Sequence, residues 1–136
     1  MKENYSIFLV DDDPDDHFLF KEAMKKINVF SHITSLYDGS ALLDLLLKKG
    51  DSVSNTSANP DLIILDLNMP IMDGFDTLLK IKSHAALSSI PVYILSTSQN
   101  SGDSKKAQDM GAKGFYDKPN SDGKMRQIIV EMLIAL

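Results

Sequence analysis

The chain is 136 residues long, with 43% hydrophobic and 24% charged residues and a formal net charge of −5 at pH 7. That is enough for one domain with a sizeable core, and the balance excludes a chain that is disordered throughout. The lack of cysteine excludes disulfides, thiolate metal sites and thiol nucleophiles, and the acidic balance argues against a nucleic-acid-binding surface. No apolar run is long enough to cross a bilayer, and the amino terminus shows no signal-peptide pattern. The expectation is a cytoplasmic protein without membrane insertion.

In chain order, Ser6-Ile7-Phe8-Leu9-Val10 predicts a buried strand that stops at acidic residues. Asp13 reads as an N-cap and Pro14 as the first residue of a helix carrying Phe18, Phe20, Ala23, Met24 and Ile27. Phe30 to Leu36 is a second strand. Asp38-Gly39 leads into a helix through Leu42, Leu43, Leu46 and Leu47, closed by Gly50. Asp51 to Pro60 is polar and aperiodic and reads as a long surface loop.

Leu62-Ile63-Ile64-Leu65 is apolar at every position, as a strand covered on both faces should be. A helix follows Gly74 through Phe75, Leu78, Leu79 and Ile81, and Pro91 to Leu95 is the fourth strand. Gly102 to Met110 predicts a short polar helix, and Gly114-Phe115-Tyr116 a brief fifth strand. Met125, Ile128, Ile129, Met132 and Leu133 mark a last amphipathic helix, whose apolar positions face either the sheet or a partner. Alternating strands and helices predict an α/β fold, a doubly wound parallel sheet of five strands with five helices. Ligands of such folds bind at the carboxyl ends of the strands.

Those ends carry chemistry. Asp11-Asp12 follows the first strand, Asp66 the third, Ser96-Thr97-Ser98 the fourth and Lys118-Pro119 the fifth. Neighbouring carboxylates repel one another, and a hard divalent cation such as Mg²⁺ resolves this with oxygen ligands. A hydroxyl and an ammonium at the same rim suit the remaining oxygens of a phosphoryl group. Together these are the ingredients of phosphoryl transfer to a carboxylate.

With these residues in place, the sequence closely resembles the receiver domain of two-component response regulators. The likeness runs from Phe8-Leu9-Val10-Asp11-Asp12 to Gly114-Phe115-Tyr116-Asp117-Lys118-Pro119, and its most specific stretch is Asp61 to Gly74. The resemblance implies the flavodoxin-like strand order 2-1-3-4-5 and a single receiver domain over residues 1–136, without an output domain. It implies that Asp66 accepts a phosphoryl group from a phosphohistidine of a sensor histidine kinase or phosphotransfer protein. Asp12 would bind Mg²⁺ directly, Asp11 through water, and Asp66 and the Asn68 carbonyl would complete the protein ligands. Ser96 matches the switch hydroxyl, and Lys118 would pair with a phosphoryl oxygen. The bond before Pro119 is expected to be cis.

Phe115 matches the switch aromatic, although packing at a strand end explains it equally well. Such a protein is a phosphoacceptor switch rather than an enzyme, catalysing its own phosphorylation and dephosphorylation, with Asn68 and Ser98 tuning the reset. Output would pass through the face of the fourth helix, fifth strand and fifth helix to a downstream protein, or through a homodimer. Thr97, where the family usually has Ala or Gly, and the long 51–60 loop depart from the pattern. Single-domain regulators served by phytochrome-type kinases show similar features.

Three other readings fit less well. An aspartyl-nucleophile phosphatase of the haloacid-dehalogenase type wants a second Asp where Asn68 stands. Asp11, Asp13, Asp15 and Glu22 fall at EF-hand spacing, but Asp16 replaces the required Gly and Pro14 starts a helix there. A pseudo-receiver acting only as an interaction module would usually lack the acceptor, the acidic pair or the lysine. His17, His32 and His84 form no metal-spaced cluster, and Asn55-Thr56-Ser57 has the form of a glycosylation acceptor without a secretory signal.

Overall fold

Successive residues of a strand point to opposite faces, so a wholly apolar strand needs cover on both. A computed structural model of the chain describes residues 3–51, 59–97 and 100–136, with backbone only at 48–51. Its elements run β1 (Asn4–Val10), α1 (Pro14–Lys25), β2 (Phe30–Leu36), α2 (Gly39–Asp51) and β3 (Leu62–Leu65). They continue as α3 (Gly74–Ser83), β4 (Val92–Ser96), α4 (Asp103–Asp109), β5 (Gly114–Asp117) and α5 (Asp122–Ile134). The strands form one parallel sheet in the order β2-β1-β3-β4-β5, as expected.

The alternation divides the core in two. Phe8, Val10, Ile63, Leu65 and Ile94 meet Leu42 and Leu46 of α2 and Leu78 and Ile81 of α3 on one face. Ile7, Leu9, Leu62 and Ile64 meet Phe20 and Met24 of α1 and Ile129 and Met132 of α5 on the other. Met125, Ile129 and Met132 are all buried against this second face, so the apolar stripe of α5 belongs to the core.

The start of α1 follows the capping chemistry read from the sequence. The Asp13 side chain accepts from the Asp15 N–H with Pro14 opening α1, and Asp38 accepts from the Ala41 N–H at 2.7 Å. Asp73 and Ser121 cap α3 and α5 in the same way. Gly50 does not close α2, which continues to Asp51; near a helix end the entropic cost of one glycine is modest, about 1 kcal/mol. Residues 52–58 of the expected loop lie outside the described residues. Among the described residues, no helix is long and apolar enough to cross a membrane.

Candidate functional site

The chain leaves β1 toward β2 on one side and returns to β3 on the other, which makes the β1/β3 junction a topological switch point. Register levels the strand ends there. Val10 pairs with Leu65, and the Asp66 N–H donates to the Val10 carbonyl at 2.9 Å. Asp11 and Asp66 therefore emerge side by side. On the other flank Ser96 pairs with Asp117, and the Lys118 N–H donates to the Ser96 carbonyl at 3.1 Å. The four strand-end signals of the sequence converge on one cleft, lined by Asp12, Asp16, Asp66, Asn68, Thr97 and Lys118 among others.

Asp66 is buried at the floor. Its Oδ1 accepts from Ser96 Oγ at 2.7 Å and from the Asn68 N–H at 3.3 Å, and its Oδ2 lies 3.4 Å from Lys118 Nζ. The turn beyond it depends on a glycine. A Cβ at Gly74 would come within 2.4 Å of the Asp66 carbonyl oxygen and 2.6 Å of Leu67 Cα, so only glycine allows α3 to begin so close to the end of β3. Asn68 lies over Ser96, its Nδ2 donating to Ser96 Oγ at 3.3 Å and to the Thr97 carbonyl at 3.1 Å. Thr97, which departs from the family pattern, is exposed and lines the cleft.

Asp11 is buried and Asp12 exposed. Carboxylate oxygens of Asp11, Asp12 and Asp66 lie within 4.8 Å of one another, an all-oxygen set suited to a hard divalent cation. Asp11 carries the electrostatic cost of this crowding: its pKa rises to about 7. Burial is the main cause, and the Asp66 charge adds to it, against the Asp13 N–H and Lys118. Burial alone would pull Lys118 down. The hydrogen bond that Lys118 donates to Asp16, then the charges of Asp11 and Asp66, outweigh it and hold the ammonium above its ordinary range.

Two residues outside the sequence reading join the site. Asp16 Oδ2 is the nearest carboxylate oxygen to Lys118 Nζ, at 2.7 Å, against 3.1 Å for Asp11. His17 is buried, with Nε2 2.8 Å from the Asp11 carbonyl and Nδ1 3.0 Å from Ser35 Oγ. A carbonyl only accepts, so Nε2 carries the proton of that bond. The signal for His17 was present in the sequence, since it shares the buried helical stripe of Phe20 and Met24. Asp16 gave a weaker one, because an acidic residue in a first helical turn is ordinarily explained by the helix dipole.

One expectation is corrected. No peptide bond among the described residues is cis, so the Lys118–Pro119 bond is trans. Trans is the default for such bonds by about 0.5–1 kcal/mol, and from it Lys118 still reaches Asp11, Asp16 and Asp66. Phe115 is half-buried and packs against the core on the α2 and α3 face. Ser98 lies outside the described residues.

Comparison with known proteins identifies the family of the chain and the fold it shares. Residues 7–130 match the model of the response regulator receiver domain. The chain is similar to the response regulator Rcp1 of Synechocystis sp., at 38% identity over 97 residues, 71% of this chain and 65% of Rcp1. It is also similar to a probable methanogenesis regulatory protein, FilR2, of Methanothrix harundinacea, at 30% identity over 96% of this chain and 83% of that one. Among solved structures, the phosphorylated cyanobacterial phytochrome response regulator RcpA superposes with a TM-score of 0.81 and 32% identity, covering 95% of this chain and 91% of RcpA. The Mn²⁺-bound form of Rcp1 gives a TM-score of 0.79 with 29% identity over 94% and 91% of the two chains.

Proposed function

This chain belongs to the response regulator receiver domain family of two-component systems, and from that premise we propose that Asp66 is its phosphoacceptor, charged by a sensor histidine kinase or phosphotransfer protein. The observation that carries the reading is the set of contacts around Asp66: a buried carboxylate at a strand end, with a hydroxyl on one oxygen and an ammonium near the other.

An Asp66 oxygen attacks the phosphorus of the donor phosphohistidine. The new O–P bond forms as the N–P bond breaks, and the imidazole leaves with the electron pair. Lys118 and Ser96 are within reach of the oxygens of the transferred group, where negative charge is stabilised by fixed donors. Asp11, Asp12, Asp66 and the Asn68 carbonyl would hold a divalent cation such as Mg²⁺, which would supply positive charge to offset the carboxylates and the transferred group. Because the catalytic groups belong to the receiver itself, small phosphoryl donors should also serve. The likeness to RcpA, a phytochrome response regulator, supports a phytochrome-type kinase as the natural donor.

The product adds up to two negative charges and three strong acceptors at Asp66. Ser96 Oγ, now bonded to Asp66 Oδ1, transfers its hydrogen bond to the phosphoryl group. The backbone of β4 and its loop follow, and Phe115 fills the space vacated. This biases the face formed by α4, β5 and α5 toward a second packing, read by a downstream protein or a second copy of the chain. Hydrolysis of the acyl phosphate resets it, at a rate set in part by Asn68.

Intact-mass analysis after incubation with acetyl phosphate and Mg²⁺ tests the reading. The expected result is one alkali-labile phosphoryl adduct on the wild type, absent from Asp66→Asn and from a sample with EDTA. An adduct that survives Asp66→Asn overturns it.

A further inference from the structure

The cleft places on Lys118 a carboxylate that the proposed chemistry does not use. Asp11, Asp12 and Asp66 form the close oxygen triad, and Asp16 lies outside it. Asp16 nevertheless makes the shortest ion pair to Lys118, at 2.7 Å, against 3.1 Å for Asp11 and 3.4 Å for Asp66. The Lys118 ammonium donates a hydrogen bond to Asp16, with the charges of Asp11 and Asp66 beside it. The carboxylates of Asp11, Asp16 and Asp66 outnumber the one ammonium they surround, while Asp13, also at the cleft, accepts from the Asp15 N–H of its own helix. Asp16 is the acid outside the triad that contacts Lys118, and it lines the opening that a phosphoryl donor must enter.

We propose that Asp16 is a brake on phosphoryl transfer: its carboxylate occupies the Lys118 ammonium in the resting protein and repels the anionic donor. This inference rests on Asp66 being the acceptor. With acetyl phosphate, the Asp66 O–P bond forms as the donor's P–O bond breaks, and acetate leaves with the electron pair. Both the donor and the transferred group are anionic, so each gains from a lysine released from Asp16. Like-charge repulsion between partly solvated groups is screened by salt, whereas a structural role for Asp16 is not.

The test compares wild type, Asp16→Asn, Asp16→Ala and Asp15→Asn. Asp15 is exposed on the same turn of α1, so Asp15→Asn removes an equal charge without touching Lys118. Rates of acetyl phosphate labelling are measured by intact mass at low and high ionic strength. Affinity for beryllofluoride with Mg²⁺ is measured by titration calorimetry. Both Asp16 variants are expected to label about three- to tenfold faster than wild type at low salt, to lose most of that gain at high salt, and to bind beryllofluoride more tightly. Asp15→Asn is expected to match wild type. Asp16 variants that label no faster than a reactive wild type overturn the brake and leave the function standing. A wild type inert to both probes overturns the function and the brake together.

Discussion

Ser96 Oγ donates a 2.7 Å hydrogen bond to Asp66 Oδ1, joining the ends of β4 and β3 through two buried side chains. The same hydroxyl accepts from the Leu67 N–H and from Asn68 Nδ2, each at 3.3 Å. One group therefore ties Asp66, the turn after it and the neighbouring strand into a unit, so a change at Asp66 reaches β4 directly. Ser96→Ala removes the donor from a buried carboxylate and should lower stability by about 1–3 kcal/mol in urea denaturation. It should also slow labelling by acetyl phosphate. Ser96→Thr keeps the hydroxyl and should preserve both properties.

The raised pKa of Asp11 predicts a stability profile. Its folded value is about 7 against an ordinary 3.8, so between those values the folded state holds a proton that the unfolded chain has lost. The stabilisation is fully present below about 4 and is lost as pH rises through 7. Metal-free protein should therefore have a lower unfolding midpoint at pH 8 than at pH 5, and Asp11→Asn should flatten that part of the curve. Mg²⁺ should restore stability at pH 8, where Asp11 is charged.

His17 holds the backbone at the end of β1 through the Asp11 carbonyl, with its ring 4.4 Å from that of Tyr37. His17→Phe leaves that carbonyl and the Ser35 hydroxyl without their shared partner. It should cost about 1–3 kcal/mol of stability and weaken Mg²⁺ binding measured by calorimetry. His17→Gln, which retains a donor, should recover part of the metal affinity. Equal metal affinity in all three proteins would refute the link between His17 and Asp11.

Ile71 is fully exposed in the turn after the acceptor and has φ of +68°. A β-branched residue is strained in this left-handed region, whereas Asn tolerates it. Ile71→Asn should raise stability by about 1 kcal/mol, read as a higher urea midpoint with an unchanged slope. A fall in the midpoint would show that the isoleucine side chain contributes more than its backbone costs.

The legible part of this protein was whatever a periodic pattern or a strand end carries. Leu62 to Leu65 announced a strand covered on both faces, and β3 is buried at each position. Asp11, Asp66, Ser96 and Lys118 were found by asking what stands at the ends of parallel strands, and the register delivers them to one cleft. Long-range pairings between a helix and a loop were not legible. Asp16 and Lys118 are 102 positions apart, and nothing local distinguishes Asp16 from the other acids of its turn. The isomer at Pro119 was set by analogy, and the chain instead keeps the lower-energy trans bond.

The phosphoryl group is carried by one carboxylate of the cleft, and Asp66 is the one proposed. Treating the labelled protein with borohydride reduces an acyl phosphate to the alcohol, and peptide mass spectrometry then locates the altered residue. The predicted result is homoserine at position 66 alone, dependent on phosphoryl donor and Mg²⁺. Reduction at Asp11, Asp12 or Asp16, or a label that resists borohydride, would contradict it.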